Sequence, residues 1–326
     1  MASFLAVKDR SYSNRVWVHN INKKREKAGE FYRLVSELRK DPKRFHMYFR
    51  MTTEEFDYLH QLIENDIKKM NTQFRRAIIS EERLAVCLRF LATGNSFRSI
   101  AFSYRLGFST VREIVKDVCD AIWKRLGPIA MLPTTQETWK RTSTRFKEMW
   151  HFPNCIGAID GKHINIQCPI NAGSSFYNYK RCHSVVLLAI VDANYNFIAI
   201  NIGAYAETAT VVFSVRQRWV KKMHWEKMAA RFRCFRGHLE VQPDFVDKIV
   251  LASCCLHNML CSDKMFETDT KPLNLPDGAL LNLDPIRRNT TRQAFQVREN
   301  FKEYFNSDVG SVTWQVHTVR RGRIQN

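Results

Sequence analysis

The sequence has 326 residues, is 45% apolar and 12% aromatic, and carries 51 Lys and Arg against 32 Asp and Glu, a formal charge of +19. This composition excludes a disordered basic tail and predicts one or two domains with buried cores. The charge favours a polyanionic partner, either the phosphate backbone of nucleic acid or an anionic membrane surface. No apolar run reaches the roughly 18 residues of a membrane span and the N-terminus lacks a signal-peptide layout, so neither secretion nor membrane insertion is expected.

The first part of the chain has the pattern of a helical module. Residues 23–58 are helical in pattern and heavily charged. The basic run at residues 23–25 is either a solvated helix face or a nuclear-import or phosphate-contact patch. Residues 80–82, Ser-Glu-Glu, predict a helix that Ser80 caps and that Gly94 ends.

A helix-turn-helix outline follows. A short helix is predicted at residues 97–105, and after Gly107 a longer helix that Ser109 caps and that Gly127 and Pro128 end. Two helices joined by a short turn that contains Gly resemble this DNA-binding motif, in which the second helix enters the major groove. The exposed face of that helix carries the candidate DNA contacts Ser109, Thr110, Arg112 and Lys116, together with Glu113. The spacing fits a DNA reader and a plain helical bundle equally well.

The middle of the chain changes to strand periodicity. Residues 155–166, 184–191 and 197–202 have strand patterns, and residues 192–196 have the composition of a hairpin turn. They predict an antiparallel meander of three strands that a helix must cover. Asp192 is interpreted as a turn residue.

Two polar residues interrupt the first predicted strand. Asp160 is an acid in an otherwise apolar run. His163 is three residues further on and lies on the opposite face of an ideal strand. We interpret His163 as a hydrogen-bonded structural residue, with a ligand role as the alternative.

The remainder of the chain returns to helix, at residues 215–230, 244–261 and 291–305, with an exposed connection at 263–289. His257 and Cys261 are four residues apart and share a helical face. A zinc site would need further ligands, and no Cys-x-x-Cys pair supplies them. A buried helix is therefore preferred over a metal site, and the nine cysteines, an odd number, indicate a reducing compartment.

Several strings, in order along nearly the whole chain, resemble the PIF/Harbinger transposases. The longest region, from Ile156 to Gly203, contains GAIDGKHI and FYNYKRCHSVVLLAIVDANYNFIAINIG. Upstream lie FRMTTEEFDYL, ERLAVCLRFLATGNSFRSIAFSYRLGFSTV and AIWKRL, and downstream RFRCFRG, VDKIVLASCCLHNML and YFNSDVGSVTWQ.

The resemblance implies an α+β protein with a helix-turn-helix segment and an RNase H-like core. It implies a DDE-type nuclease that uses Mg²⁺ or Mn²⁺ to cut DNA and that has a Myb-like protein partner. The implied location is the nucleus, with the cytoplasm as an additional candidate location. The resemblance implies no small-molecule substrate. The expected organisation is a basic helical arm (residues 1–78), a helix-turn-helix-like module (79–150), a truncated core (151–262) and a loop with a C-terminal helix and tail (263–326).

The resemblance places the first catalytic acid and metal ligand at Asp160. Metal-dependent phosphodiester cleavage needs two ions about 4 Å apart, held by carboxylates from several elements. The other family acids do not carry over: Thr210 stands at one Asp position, and Lys221, or Lys222 in another placement, stands at the Glu position. A strand-bearing segment with a further Asp is missing after Phe213.

This pattern predicts little or no cleavage and puts binding of the family's metal in doubt. Glu207 and Glu226 are the acids that could rebuild a site. Either the chain is a domesticated or decaying relative with a reduced core, or a coding segment after about Ala206 is absent from this transcript or gene model. In both cases the first or third strand is expected to have an unpaired edge.

The alternative function is that of a non-catalytic nuclear protein that binds DNA or a protein partner. Residues 211–238 hold eight Lys and Arg against one acid, Glu226, which suits phosphate contacts. The candidate contacts in this segment are Arg216, Arg218, Lys221 and Lys222. A misassembled product without function is a third hypothesis.

Overall fold

A computed structural model describes residues 18–73, 76–131, 135–170, 180–204 and 227–261, together with residues 172, 174, 176–178, 225, 296, 299–301, 303, 304, 307 and 310. The predicted connection at 263–289 and most of the helices predicted at 215–230 and 291–305 lie outside these residues. The described elements mix helices with one antiparallel sheet, which agrees with the predicted α+β fold.

The helices come first in the chain. They are α1 (Asn20–Lys23), α2 (Arg25–Ala28), a π-helical turn (Phe31–Val35), α3 (Ser36–Leu38), α4 (Pro42–Phe49), α5 (Thr53–Ile67), α6 (Ser80–Thr93), α7 (Phe97–Tyr104), α8 (Phe108–Ala130) and α9 (Gln136–Trp150). The strands β1 (Ala158–Asn165), β2 (Ser184–Val191) and β3 (Phe197–Ala204) follow, then a 3₁₀ turn (Arg233–Arg236) and α10 (Pro243–Cys261). None of the helices among the described residues is long and apolar enough to cross a bilayer.

Helix α6 is the buried centre of the helical module, and this burial changes the role of its first turn. The predicted Ser80 cap is wrong, because Ile79 occupies the N-cap position and the Ser80 hydroxyl lies 2.9 Å from His60 Nε2. Glu82 is fully buried and forms an ion pair with Arg25 of α2. Burial, which outweighs the nearby Arg25, raises the pKa of Glu82 to about 7.

Helices α7 and α8 are joined by the three residues Arg105, Leu106 and Gly107. The left-handed residue of this turn is Arg105 (φ 54°), whereas Gly107 is extended (φ −74°). The predicted Ser109 cap is wrong, because α8 begins at Phe108 with Gly107 at its N-cap and no side-chain cap. The expected end at residues 127–128 is also wrong: α8 continues through Pro128 to Ala130.

Pro128 is tolerated because it lies in the last turn of α8. A proline there removes a single backbone donor, and Met131 N still donates to Gly127 O at 2.8 Å. The helix is also fixed along its length by contacts with α5, α6 and α10. Packing of the apolar face therefore outweighs the local helix-breaking signal.

The sheet is the predicted antiparallel meander, in the order β1-β2-β3. Asp160 of β1 is opposite Ala189 of β2, which is opposite Ile200 of β3. The interpretation of Asp192 as a turn residue is confirmed: its carboxylate accepts hydrogen bonds from the backbone N–H groups of Asn194 and Asn196, each at 2.8 Å.

Helix α10 connects the sheet to the helical module through hydrogen bonds of the Asn258 side chain. The Asn258 amide oxygen accepts from Phe197 N at 2.8 Å, and its nitrogen donates to Phe197 O at 2.8 Å and to Ala130 O at 2.9 Å. One buried side chain thus joins the start of β3 to the end of α8. Lys248 of α10 also pairs with Asp120 of α8 at 2.5 Å.

The preference for a buried helix around His257 and Cys261 is confirmed. His257 is 1% exposed and its Nε2 lies 3.1 Å from Tyr195 O in the β2–β3 turn. Burial lowers the pKa of His257 to about 4. Among the described residues no cluster of three or more His, Cys, Asp or Glu side chains could hold a metal ion.

Candidate nuclease site and basic surface

Asp160 lies where the sequence places it, near the start of β1, and is partly buried. Its Oδ1 accepts a hydrogen bond from Gly161 N at 2.8 Å. Strand alternation puts Lys162 on the same face of the sheet. Next to Asp160 across the sheet are the apolar residues Ala189 and Ile200. Asp160 is the only acid in the three described strands.

These neighbours do not fit a pair of divalent ions. Hard cations need several oxygen ligands from converging elements, whereas the described surroundings of Asp160 on the sheet offer alkyl groups and a lysine. The Lys162 ammonium lies 5.5 Å from the centre of the Trp225 ring, on the same side of the sheet as Asp160. A positive charge in this place repels a metal ion.

The structure does not describe the residues that the sequence suggests as further acids or as their replacements. They are Glu207, Thr210, Lys221, Lys222 and Glu226. Another partly buried acid is Asp247 of α10, whose pKa is raised by burial and by Asp244. Asp247 approaches Gly203, three residues further along β3 than Ile200. Strand spacings put the backbones of Gly203 and Asp160 on the order of 14 Å apart, so the sheet does not bring these two acids to one metal pair.

The interpretation of His163 as a hydrogen-bonded structural residue is confirmed. Its Nδ1 lies 2.9 Å from the buried Ser184 hydroxyl, which also accepts from Asn178 Nδ2 at 2.8 Å. The pKa of His163 is lowered by burial and then by the positive charges of Lys180 and Lys162. This environment favours the neutral imidazole, and the hydrogen bond links His163 to β2.

Asn178 is a structural residue that the sequence analysis did not single out. It is buried in the loop before β2, and its Oδ1 accepts from Lys180 N at 2.8 Å and from Cys182 N at 3.3 Å. These are the contacts of an Asx-type turn. The asparagine in the string FYNYKRCHS was the sequence signal that could have predicted this turn.

Among the described residues, the outer edge of β1 is paired with another backbone segment only at its C-terminal end. Leu239 N donates to Asn165 O at 3.0 Å, and Gln167 N donates to Leu239 O at 3.1 Å, a short parallel bridge. Beside this bridge is an open groove of about 610 Å³. It is lined by Ile166, Gln167, Cys168, Cys182, His183, His238 and Glu240. The groove is six residues along from Asp160 and does not include it.

The candidate recognition face of α8 is accessible. Ser109, Arg112 and Lys116 are exposed and Thr110 is partly exposed. The Arg112 guanidinium lies 5.9 Å from the centre of the Phe245 ring of α10, so this side chain also contacts the protein. The other predicted contacts, Arg216, Arg218, Lys221 and Lys222, lie outside the described residues.

An aromatic and basic surface continues this face onto α7. Phe102 is 75% exposed and Phe108 is 47% exposed. The Arg98 guanidinium lies 5.6 Å from the centre of the Phe108 ring. Exposed aromatic rings beside arginines suit contact with a nucleic-acid surface.

Comparison with known proteins agrees with the resemblance in the sequence. Residues 159–214, which include Asp160, match the family described as "DDE superfamily endonuclease". A putative nuclease HARBI1 from Xenopus laevis is 20% identical over 299 residues, covering 74% of this chain and 84% of the relative. No solved structure matches the chain significantly.

Two Arabidopsis thaliana proteins are also similar. Protein Antagonist of Like Heterochromatin Protein 1 is 27% identical over 161 residues (47% of this chain), and protein ALP1-like is 27% identical over 169 residues (50% of this chain). The chain spans about two fifths of the length of each of these plant relatives. The family match over residues 159–214 and the relatives of both kinds support the resemblance of this chain to the Harbinger transposase-derived nucleases.

Proposed function

We propose that this chain is a nuclear DNA-binding protein, derived from a transposase, in which cleavage is lost or strongly impaired. In this proposal α7 and α8 form the helix-turn-helix segment and β1–β3 are the remaining strands of an RNase H-like core. The observation that carries the proposal is the setting of Asp160, beside Ala189 and Ile200 and on the same strand face as Lys162.

The chemistry explains why this setting matters. In two-metal cleavage one ion activates the attacking oxygen and the second stabilises the leaving oxygen. A single carboxylate next to a lysine does not hold two dications at about 4 Å. Thr210 and Lys221 at the positions of the family's later acids add to this deficit. Mg²⁺ or Mn²⁺ at Asp160 is therefore not part of the proposed function.

Charge and surface chemistry support DNA as the partner. The formal charge of +19 attracts a phosphate backbone over long range. The exposed Arg112 and Lys116 of α8 and the exposed ring of Phe102 on α7 provide cations and an aromatic group on neighbouring surfaces. Such contacts give binding without requiring a metal or a nucleophile.

A second candidate is a protein-binding role at chromatin, with DNA contacts secondary. The name of one plant relative, Antagonist of Like Heterochromatin Protein 1, favours this version. A Myb-like protein, which the family resemblance implies, is the proposed partner for nuclear entry and DNA binding. In both candidates cleavage is not the function.

The test is an assay of cleavage and binding with the same purified full-length protein. Supercoiled DNA is incubated with Mg²⁺ or Mn²⁺, with Asp160→Asn in parallel, and we expect no nicking above background from either protein. Nicking by the wild type that disappears in Asp160→Asn would refute the loss of cleavage. Binding to a fluorescent duplex should weaken steeply with added salt. Absence of binding at about 50 mM salt would reject the DNA-binding function.

A further inference from the structure

Four arginine side chains from three separate parts of the chain converge at one end of α6. Arg50 directly follows α4, Arg89 lies in the second half of α6, and Arg233 and Arg236 belong to the 3₁₀ turn. The pKa of Arg50 is lowered first by burial and then by the positive charges of the other three. Each of the other three charges is therefore close enough to Arg50 to repel it.

Tight packing fixes this convergence. Gly94 ends α6 in the left-handed conformation (φ 70°), and the position that its Cβ would occupy is 3.0 Å from Arg233 O. The 3₁₀ turn thus lies against the end of α6. The Arg89 guanidinium is 3.9 Å from the centre of the Tyr48 ring, two residues before Arg50. These contacts hold the backbone segments that carry the arginines against one another, so like charges are kept close at a cost in electrostatic energy.

The described residues contain no acid that neutralises the four arginines. None of the ion pairs among the described residues includes any of them. The nearby Glu30 accepts a hydrogen bond from the Tyr48 hydroxyl at 2.6 Å. Arg50 Nε is buried and has no hydrogen-bond acceptor among the described residues. A buried cationic donor without an acceptor is costly, which points to an anion that supplies one.

The two outer arginines leave the cluster open to solvent. Arg233 and Arg236 are exposed, whereas Arg50 and Arg89 are partly buried. Arg236 Nε donates to Ala229 O at 3.2 Å, which orients its guanidinium. Planar guanidinium groups bind phosphate oxygens through paired hydrogen bonds and remain charged at every physiological pH. An opening lined by several of them suits a phosphate group better than a carboxylate.

We propose that Arg50, Arg89, Arg233 and Arg236 form a binding site for a phosphate group of the DNA backbone. The site deepens the proposed DNA-binding function and rests on it. It is built from residues outside the candidate recognition face of α8, so it adds a backbone contact that positions the duplex without reading its sequence.

The experiment uses the full chain and variants chosen for their backbone conformation. Arg50 is left-handed (φ 64°), a conformation that favours glycine, so Arg50→Gly removes the charge while relieving backbone strain. Arg181→Gly is the matched control, because Arg181 is exposed, left-handed (φ 62°) and outside the cluster. Arg233→Gln with Arg236→Gln removes the two exposed members. Duplex binding is measured by fluorescence anisotropy over a range of salt concentrations, and thermal stability is measured with and without sodium tripolyphosphate.

We expect Arg50→Gly and the double Gln variant each to weaken duplex binding about tenfold. For one lost phosphate contact, the slope of log K against log salt should fall by about 0.9. Arg181→Gly should behave almost like the wild type. An equal loss in Arg181→Gly would mean that only net charge matters, and unchanged binding by both cluster variants would also reject the site.

The tripolyphosphate measurement separates this site from the proposed function. At matched ionic strength, tripolyphosphate should raise the melting temperature of the wild type and of Arg181→Gly but not of Arg50→Gly. If that difference is seen while the wild type binds no duplex, the site takes a free polyphosphate and both the DNA assignment and the proposed function fail. If tripolyphosphate stabilises Arg50→Gly as much as the wild type, the phosphate site itself is refuted.

Discussion

At the scale of single residues, His257 is the group whose environment most directly sets a pH dependence. Burial, together with the positive charges of Arg231 and Lys227, lowers its pKa to about 4, although the hydrogen bond to Tyr195 raises it. In the unfolded chain the pKa returns to about 6.5. Above that pH both states are neutral at His257 and its contribution to stability is fully present.

As the pH falls from about 6.5 towards 4, the unfolded state takes up a proton that the folded state does not. The free energy of unfolding should therefore fall by about 1.4 kcal/mol per pH unit in this window, about 3 kcal/mol in total. His257→Gln removes this titration, and its amide remains able to donate to Tyr195 O.

We expect urea unfolding of His257→Gln to show a shallower loss of stability between pH 6.5 and 4 than the wild type. Exposed His46→Gln is the control and should keep the wild-type slope. Equal slopes for His257→Gln and the wild type would show that His257 is not the titrating group.

At the scale of elements, the end of α6 determines how the 3₁₀ turn packs. Gly94 has φ 70°, and a Cβ there would lie 3.0 Å from both Arg233 O and Cys234 Cα, which are backbone atoms that cannot rotate away. Gly237 on the other side of the turn has φ −114° and nothing within 4 Å of its Cβ position. Substitution by alanine is therefore expected to destabilise the protein at Gly94 and to have little effect at Gly237.

Gly94→Ala should lower the free energy of unfolding by about 2 kcal/mol, from the left-handed conformation and the backbone contact together. Gly237→Ala should change it by no more than about 0.5 kcal/mol. Urea denaturation with an unchanged m-value measures both. Equal stability of the two variants would contradict the packing of the turn against α6.

The elements also show what sequence patterns determine. Apolar periodicity predicted α6, α7 and α8, and the strand patterns predicted the meander, because these elements bury one regular face. The pattern failed at Ser80, Ser109 and Pro128, where tertiary packing decides which residue begins or ends a helix. Helix α9 was not predicted, and its only buried residues are Thr142 and Phe146, which is too few to give a periodic signal.

The candidate sites divide in the same way, into features that a local sequence pattern predicts and features that only long-range packing determines. Asp160 was placed correctly on β1 by its string, but its apolar neighbours Ala189 and Ile200 depend on strand register. The arginine cluster was missed because Arg50 and Arg233 are far apart in sequence and only packing against the end of α6 brings them together. Local patterns carry no information on such long-range contacts.

At the scale of the whole molecule, α10 is the element that connects the sheet to the helices. It packs along α8 and against β3, and Asn258 bonds to the backbone of both neighbours, at Ala130 and Phe197. The side chain forms hydrogen bonds with three backbone groups, Phe197 N, Phe197 O and Ala130 O. The helical part and the sheet therefore share one set of contacts and should unfold together.

Asn258→Ala removes the hydrogen bonds that the side chain makes to those three backbone groups and should lower the free energy of unfolding by about 3 kcal/mol. Because the lost bonds join both parts, the loss should appear equally in far-ultraviolet circular dichroism, which reports the helices, and in hydrogen exchange of the β3 amides. Asn95→Ala, at an exposed position after α6, is the control and should have little effect. If only the β3 amides exchanged faster while the helical signal kept its wild-type midpoint, the sheet would be a separate folding unit and Asn258 would not couple the two parts.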